Sequence, residues 1–294
     1  MFYNTREDKI SESAHWADEK GVMIMTIQKI IDNILAYHPD IGDRRTCDVA
    51  VGADPNQECT GILISIAPTV EIIRKAIAIG ANFIFVHEPT FFSGYDDECE
   101  WLEGNDVYEE KIKLLKDNGI VVFRDHDHMH AHNPDGIFHY MLRQLGWSDY
   151  LCGTNERDWQ VRLPETTLAE LVQHVKQAMG LETIRYIGNP DAKVSTVGFC
   201  GHLLPGPHTN WSNNDQLLAC CQYDVVIPGE TVDWTVPLYY RDAAMLGKNK
   251  GMIIPGHFVQ EEAGMRWAHE WLRPLVDADL PISFEAAGDM FRYL

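Results

Sequence analysis

Two short runs of apolar residues, joined by a helix signal, constrain this chain more than any other feature. Residues 61–66 (G-I-L-I-S-I) read as a strand; Thr69 can cap a helix running through Ile79, and Gly80 supplies its stop. Residues 82–86 (N-F-I-F-V) follow as a second strand, its apolar run unbroken by polar alternation. That is the pattern expected where helices cover both faces of a parallel sheet. The unit then repeats. Asp106 with Glu109 predicts a capping-box start to a helix ending at Asn118-Gly119, and residues 120–123 (I-V-V-F) form a third strand. Asn133-Pro134 opens a helix that turns Ile137, Met141 and Leu145 inward, closed by Gly146. Strands alternating with helices predict an α/β fold.

The flanking segments extend this pattern. Residues 1–20 are polar and without periodicity, and read as an N-terminal arm. Thr26 caps a helix whose stripe is Ile27, Ile30, Ile31, Ile34 and Leu35. Thr167 with Glu170 is a second capping box, before Leu171, Val172, Val175 and Met179. Further strands are predicted at 184–187, 194–200, 223–227 and 252–254, and a last helix from about Phe258 to Leu272. A chain of 294 residues can bury a sizeable core in one or two domains. Its net charge of −20 argues against nucleic acid or an anionic membrane as partner. No apolar run approaches the ~20 residues needed to span a bilayer, and the start M-F-Y-N-T-R-E-D-K lacks the apolar core of a signal peptide. Seven cysteines, an odd number with no C-x-x-C, read as free thiols. The expected compartment is the cytoplasm.

In open α/β sheets, sites form outside the carboxyl ends of the strands. Four predicted strands end in side chains suited to metal or acid–base chemistry: His87-Glu88, the tract R-D-H-D-H-M-H-A-H, Glu230, and His257 with Glu261. The tract sets His126, His128, His130 and His132 at every second position, so an extended backbone would put all four imidazoles on one face. His257 and Glu261 stand four apart and would stack on one helix face, with Glu262 turned away toward solvent. This is more nitrogen and carboxylate than one zinc requires, and a carboxylate bridging two metals would use the surplus. His15, His38, His139, His174 and His269 read as structural or surface residues. His202 and His208 lie in a glycine- and proline-rich loop; they are substrate-contact candidates but read first as ordinary loop residues. Trp211 and Trp234 read as core or interface.

The order of these motifs resembles the Nif-three-like family of dinuclear-metal, hexamer-forming proteins, some labelled GTP cyclohydrolase 1 type 2. The resemblance rests on V-H-E-P-T-F-F, H-D-H-M-H-A, Y-D-V-V-I-P-G-E and I-P-G-H-F-V-Q-E in that order, with T-L-A-E-L-V between, and covers Ile27 to the C-terminus. It implies two α/β lobes with largely parallel sheets and a metal site between them at the strand ends. The lobes would be 25–150 with 251–294, and 151–250, after a 1–24 extension. It further implies metal ligands at His87, Glu88, His130, His257 and Glu261, with Glu261 bridging. His126 or Glu230 would move protons or orient a ligand. Two positions depart from the family pattern, which has histidine at 88 and aspartate at 130; Asp127 is the alternative carboxylate, and Trp234 stands where the family has a further histidine. The exchange keeps three imidazoles and two carboxylates. A mixed nitrogen and oxygen set suits two divalent ions of zinc, iron or manganese. The implied activity is hydrolysis of a small anionic molecule by a homohexamer, with a non-catalytic metal-binding scaffold as the alternative. No G-x-x-x-x-G-K-[ST] loop is present.

Overall fold

In a computed structural model, residues 25–154, 159–204 and 212–294 are described; the expected arm, His15, His208 and Trp211 lie outside them. In chain order the elements are α1 (Ile27–Tyr37), β1 (Ala50–Gly52), β2 (Ile62–Ile64), α2 (Val70–Ile79) and β3 (Phe83–Val86). Next come α3 (Asp106–Asp117), β4 (Val121–Arg124), the single turn α4 (Asp127–His130) and α5 (Gly136–Leu145). The middle of the chain holds β5 (Leu151–Thr154), β6 (Trp159–Thr167), α6 (Leu168–Ala178), β7 (Arg185–Gly188) and β8 (Lys193–Phe199). It continues with α7 (Asn213–Cys220), β9 (Val225–Val226), α8 (Val236–Met245) and β10 (Gly251–Ile254). The chain ends in α9 (His257–Trp267), α10 (His269–Leu272) and β11 (Ile282–Phe284).

These form two sheets. The first, ordered β1-β4-β3-β2-β11, is parallel except at β1. The apolar run of β3 explains its place at the centre. Phe83 and Phe85 face α1, α9 and α10, while Ile84 and Val86 face α2 and α3, so both faces are buried. Thr26 and Thr69 cap α1 and α2 as expected, and Gly80 closes α2 with φ 73°. The cap of α3 is Asn105, one residue earlier than predicted, and that of α5 is Asp135, whose carboxylate accepts the N–H of Ile137 and Phe138.

The second sheet, ordered β5-β6-β8-β9-β10-β7, is parallel at its centre (β8, β9, β10) and antiparallel at its margins. Gly251–Ile254, grouped on sequence with the first lobe, pairs here between β9 and β7. Helices α5 and α9 lie between the sheets and serve both cores. Ile137 and Met265 join the first, while Met141, Leu145 and Ala263 join the second. Their contact is close: a Cβ on Gly264 would stand 2.5 Å from Ile137 Cδ1 and 2.8 Å from its Cα. Among the described residues no helix is long and apolar enough to cross a membrane, and Cys47, Cys59, Cys99, Cys152, Cys220 and Cys221 are free thiols.

Gly264→Ala is therefore expected to cost about 1–3 kcal/mol, because the backbone of α5 and not only a side-chain tip must yield. Chemical denaturation of Gly264→Ala with and without Ile137→Val checks this; full recovery in the double variant would contradict a backbone contact.

Candidate metal centre

The carboxyl ends of both sheets meet at one cluster. From the first sheet, β3 delivers His87 and Glu88, whose N–H groups both donate to Ile66 O. The turn after β4 delivers His126 and His130. From the second sheet, the ends of β8, β9 and β10 deliver His202, Glu230 and His257, and α9 adds Glu261. Ligating atoms of His87, His126 and His130 lie within 4.8 Å of one another. The same holds for His202, Glu230 and His257, and for His87, Glu88 and Glu261. The last group connects the other two.

The histidine tract is not extended, and its four imidazoles do not share a face. The buried Asp48 carboxylate accepts the N–H of His126, Asp127 and His128 at 2.6, 2.8 and 3.0 Å, winding the chain into the turn α4. His126 and His130, four apart, then face the site. His128 turns back to Asp48, and His132 meets His38, which is buried against Asp125. Asp127 is not an added ligand to the main cluster; it receives His126 Nδ1 at 3.0 Å and the Cys47 N–H at 3.3 Å.

Hydrogen bonding fixes how the inner imidazoles present themselves. His87 Nδ1 donates to Asp125 O at 3.0 Å, and the Nδ1 atoms of His126 and His130 contact Asp127 and Asp135 at 3.0 and 2.7 Å. Each ring therefore keeps its Nε2 for another partner, the arrangement in which oxygen acceptors orient metal-binding histidines. His87 Nε2 is wholly buried without a hydrogen-bond partner, 3.6 Å from Glu261 Oε2. Its lone pair thus faces a carboxylate. On the other side, His257 Nε2 lies 2.8 Å from Glu88 Oε1 and 2.9 Å from Glu261 Oε2. One nitrogen carries at most one hydrogen, and the geometry gives it to Glu261, leaving Glu88 Oε1 buried without a donor. A lone pair and a carboxylate oxygen, both buried and both short of a donor, fit a cation between them.

The electrostatics agree. Burial alone would lower His257, yet Glu230, Glu261 and Glu88 raise it to about 12. Burial would raise Glu88, but His257 holds it at about 2, with Arg124 also acting. Arg124, buried beneath the site, donates to His87 O at 3.1 Å and stands 4.0 Å from Glu88 Oε2. His87 falls well below the ordinary imidazole value through burial and then through His126 and His130, so its free nitrogen is a neutral donor. His130 rises to about 9, Asp135 outweighing burial. Glu230 sits lower than a free carboxylate because His257 donates to it.

All seven residues expected at the site are brought together. His126 stands among the ligating groups and not behind them. His202, read first as a loop residue, belongs to the cluster: its ring lies 4.3 Å from that of His257, with Nδ1 3.8 Å from Glu230 and Nε2 4.0 Å from Glu261. Its position just beyond a strand end was the available signal. Asp48, Arg124 and Asp135 carried none. Glu262 turns away from the cluster but is not solvated, accepting the Ala287 N–H at 2.8 Å, and Trp234 is exposed.

Replacing Asp48 by Ala strands three N–H groups and is expected to cost about 3 kcal/mol or more, with Asp48→Asn milder. Denaturation measures the loss, and nuclear magnetic resonance of the histidine rings should show His126 and His130 losing their common environment. Unchanged ring signals would sever Asp48 from the site's geometry.

Comparison with known proteins bears on the family and the fold. A Lactococcus lactis protein named GTP cyclohydrolase 1 type 2 homolog is 28% identical over 233 residues, covering 75% of this chain and 80% of that one. A hypothetical protein of Staphylococcus aureus superposes with a TM-score of 0.70 at 17% identity, over 92% of this chain and all of that one. A Bacillus cereus protein related to NIF3 does so at 0.65 and 16%, over 92% and 99%. The family model described as Duf34/NIF3 (NGG1p interacting factor 3) matches residues 22–286, and the chain belongs to that family.

Proposed function

We propose that this protein holds two divalent metal ions and hydrolyses a small anionic molecule. The observation that carries this reading is the pair of orphaned buried atoms, His87 Nε2 and Glu88 Oε1, on either side of Glu261. His87, His126 and His130 would hold one ion. His257 and Glu88 would hold the other, with His202 beside them, and Glu261 would reach both. Imidazole mixed with carboxylate suits zinc, iron or manganese and disfavours calcium. When bound, such a pair would supply an acidified water and stabilise negative charge on the oxygens of a displaced group.

The chain's own residues do the rest. Glu230, the most exposed carboxylate of the cluster, takes a proton from the attacking water. As the water oxygen bonds to the substrate's acyl or phosphoryl centre, the bond to the leaving group breaks and Glu230 passes that proton to it. Arg124 and Asp135 hold Glu88 and His130 in place from behind. Glu88 and His130 stand where the family pattern has histidine and aspartate, and we read them as one compensated exchange that keeps the donor count. The GTP cyclohydrolase name of the relatives supports a hydrolytic reading, and a cytoplasmic homohexamer is part of it; the free thiols of Cys47, Cys59, Cys99, Cys152, Cys220 and Cys221 favour that compartment.

Elemental analysis of protein purified without an affinity tag is expected to find about two divalent ions per chain, as a two-metal site requires. Glu261→Gln should lose most of both, while His126→Ala should lose about one. A folded wild-type chain that takes up no zinc, iron or manganese would sink the reading. Metal-dependent turnover of GTP, phosphodiesters or cyclic amides should vanish in Glu261→Gln. A fully loaded chain inert to all three classes would favour a metal-binding scaffold.

A further inference from the structure

A cavity of about 540 Å³ opens beside the second half of the centre, bounded at one end by Glu230 and His257. Its walls are chiefly apolar: Ile254 from β10, Phe258 and Val259 from the first turn of α9, and Phe291 from the C-terminal segment. That volume suits a small molecule and not a macromolecular segment. Two other charged side chains reach the walls. Asp289 is committed locally, its oxygens accepting the Phe291 N–H at 2.9 Å and the Tyr293 hydroxyl at 2.7 Å. Arg185, on the edge strand β7, forms no ion pair among the described residues. It is the one arginine or lysine among the residues lining the cavity; His257, the other cation there, is already shared among Glu88, Glu230 and Glu261.

We infer that this cavity is the substrate pocket of the metal centre, and that it takes a molecule joining an apolar, ring-sized body to a single anionic group set on Arg185. The inference rests on the metal-centre reading, for it places the reacting bond at the His257 and Glu230 end. Away from the metal end, the pocket offers little to GTP. A triphosphate needs several cations or a cradle of backbone N–H groups along its length. Apart from the centre itself, the lining offers one arginine and two carboxylates, Glu230 and Asp289. A guanidinium paired with one carboxylate or phosphonate needs no more than this wall provides.

Phenylphosphonate is the direct probe, since it has the ring and the anion and cannot be hydrolysed. Its binding to the full chain, zinc-loaded and metal-free, is compared by calorimetry with that of methylphosphonate, benzyl alcohol and GTP. We expect phenylphosphonate to bind at least about tenfold tighter than either fragment, and GTP to bind the metal-free chain no tighter than methylphosphonate. Arg185→Gln should weaken phenylphosphonate about tenfold, the loss of one charge-assisted contact, and leave benzyl alcohol unchanged. Val259→Trp, which fills the cavity, should abolish both. Neither variant should alter metal content. Equal binding of ring-bearing and ring-free phosphonates, or indifference to Arg185→Gln, overturns the pocket. So does a Val259→Trp chain that is folded and binds as before, as it would if a neighbouring subunit filled the space. Arg185-dependent binding by a chain that takes up no metal would keep the pocket and remove the centre, so the two failures are distinguishable.

Discussion

Everything at the centre depends on how closely α5 and α9 approach. These helices belong to both hydrophobic cores, and the contact of Gly264 with Ile137 lets them lie side by side between the sheets. Helix α9 carries His257 and Glu261 at its start, and α5 follows directly on the turn that carries His126 and His130. Packing between the two helices therefore sets the distance between ligands drawn from different sheets. Interiors are packed as densely as molecular crystals, so such a contact acts as a fixed spacer and not as a soft cushion.

Against that spacer the protein buries more carboxylate than His257 and Arg124 together neutralise. Glu88 and Glu261 are 6% and 2% exposed, and Glu230 joins them at the edge. Arg124 approaches one carboxylate only, His257 is shared among three, and His87 presents a lone pair. Burying carboxylates without partners is strongly unfavourable. The resulting demand for positive charge is the physical basis of the proposed metal pair. The fixed Nδ1 contacts add to it, because they orient each ring before any ion arrives.

The surroundings are built from short-range devices. Asp48 gathers three consecutive N–H groups at the start of α4. Asp135 caps α5 and also receives His130. Each carboxylate thus fixes backbone and imidazole together, so the angle between helix and site residue is set by the same group. On the open side, the apolar wall of the adjoining cavity and Arg185, which forms no ion pair among the described residues, differ in character from the acidic cluster.

Much of this was legible in the residues. The apolar run at 82–86, threonine caps at 26, 69 and 167, and the glycine stop at 80 act on neighbours a few positions away, so local pattern suffices to read them. Strand-end placement likewise marked His87, Glu88, Glu230, His257 and Glu261. The histidine tract shows where that reading ends. His126 and His130 satisfy a period of two and a separation of four equally well, and the choice was made by Asp48, some 80 residues earlier. Pairing of β8, β9 and β10 brought His202 into the cluster and moved residues 251–254 into the second sheet. Local sequence determined the elements and the residue types at their ends; only the tertiary structure decided which side chains meet, because convergence depends on long-range strand pairing and on the α5–α9 contact, which no local periodicity encodes.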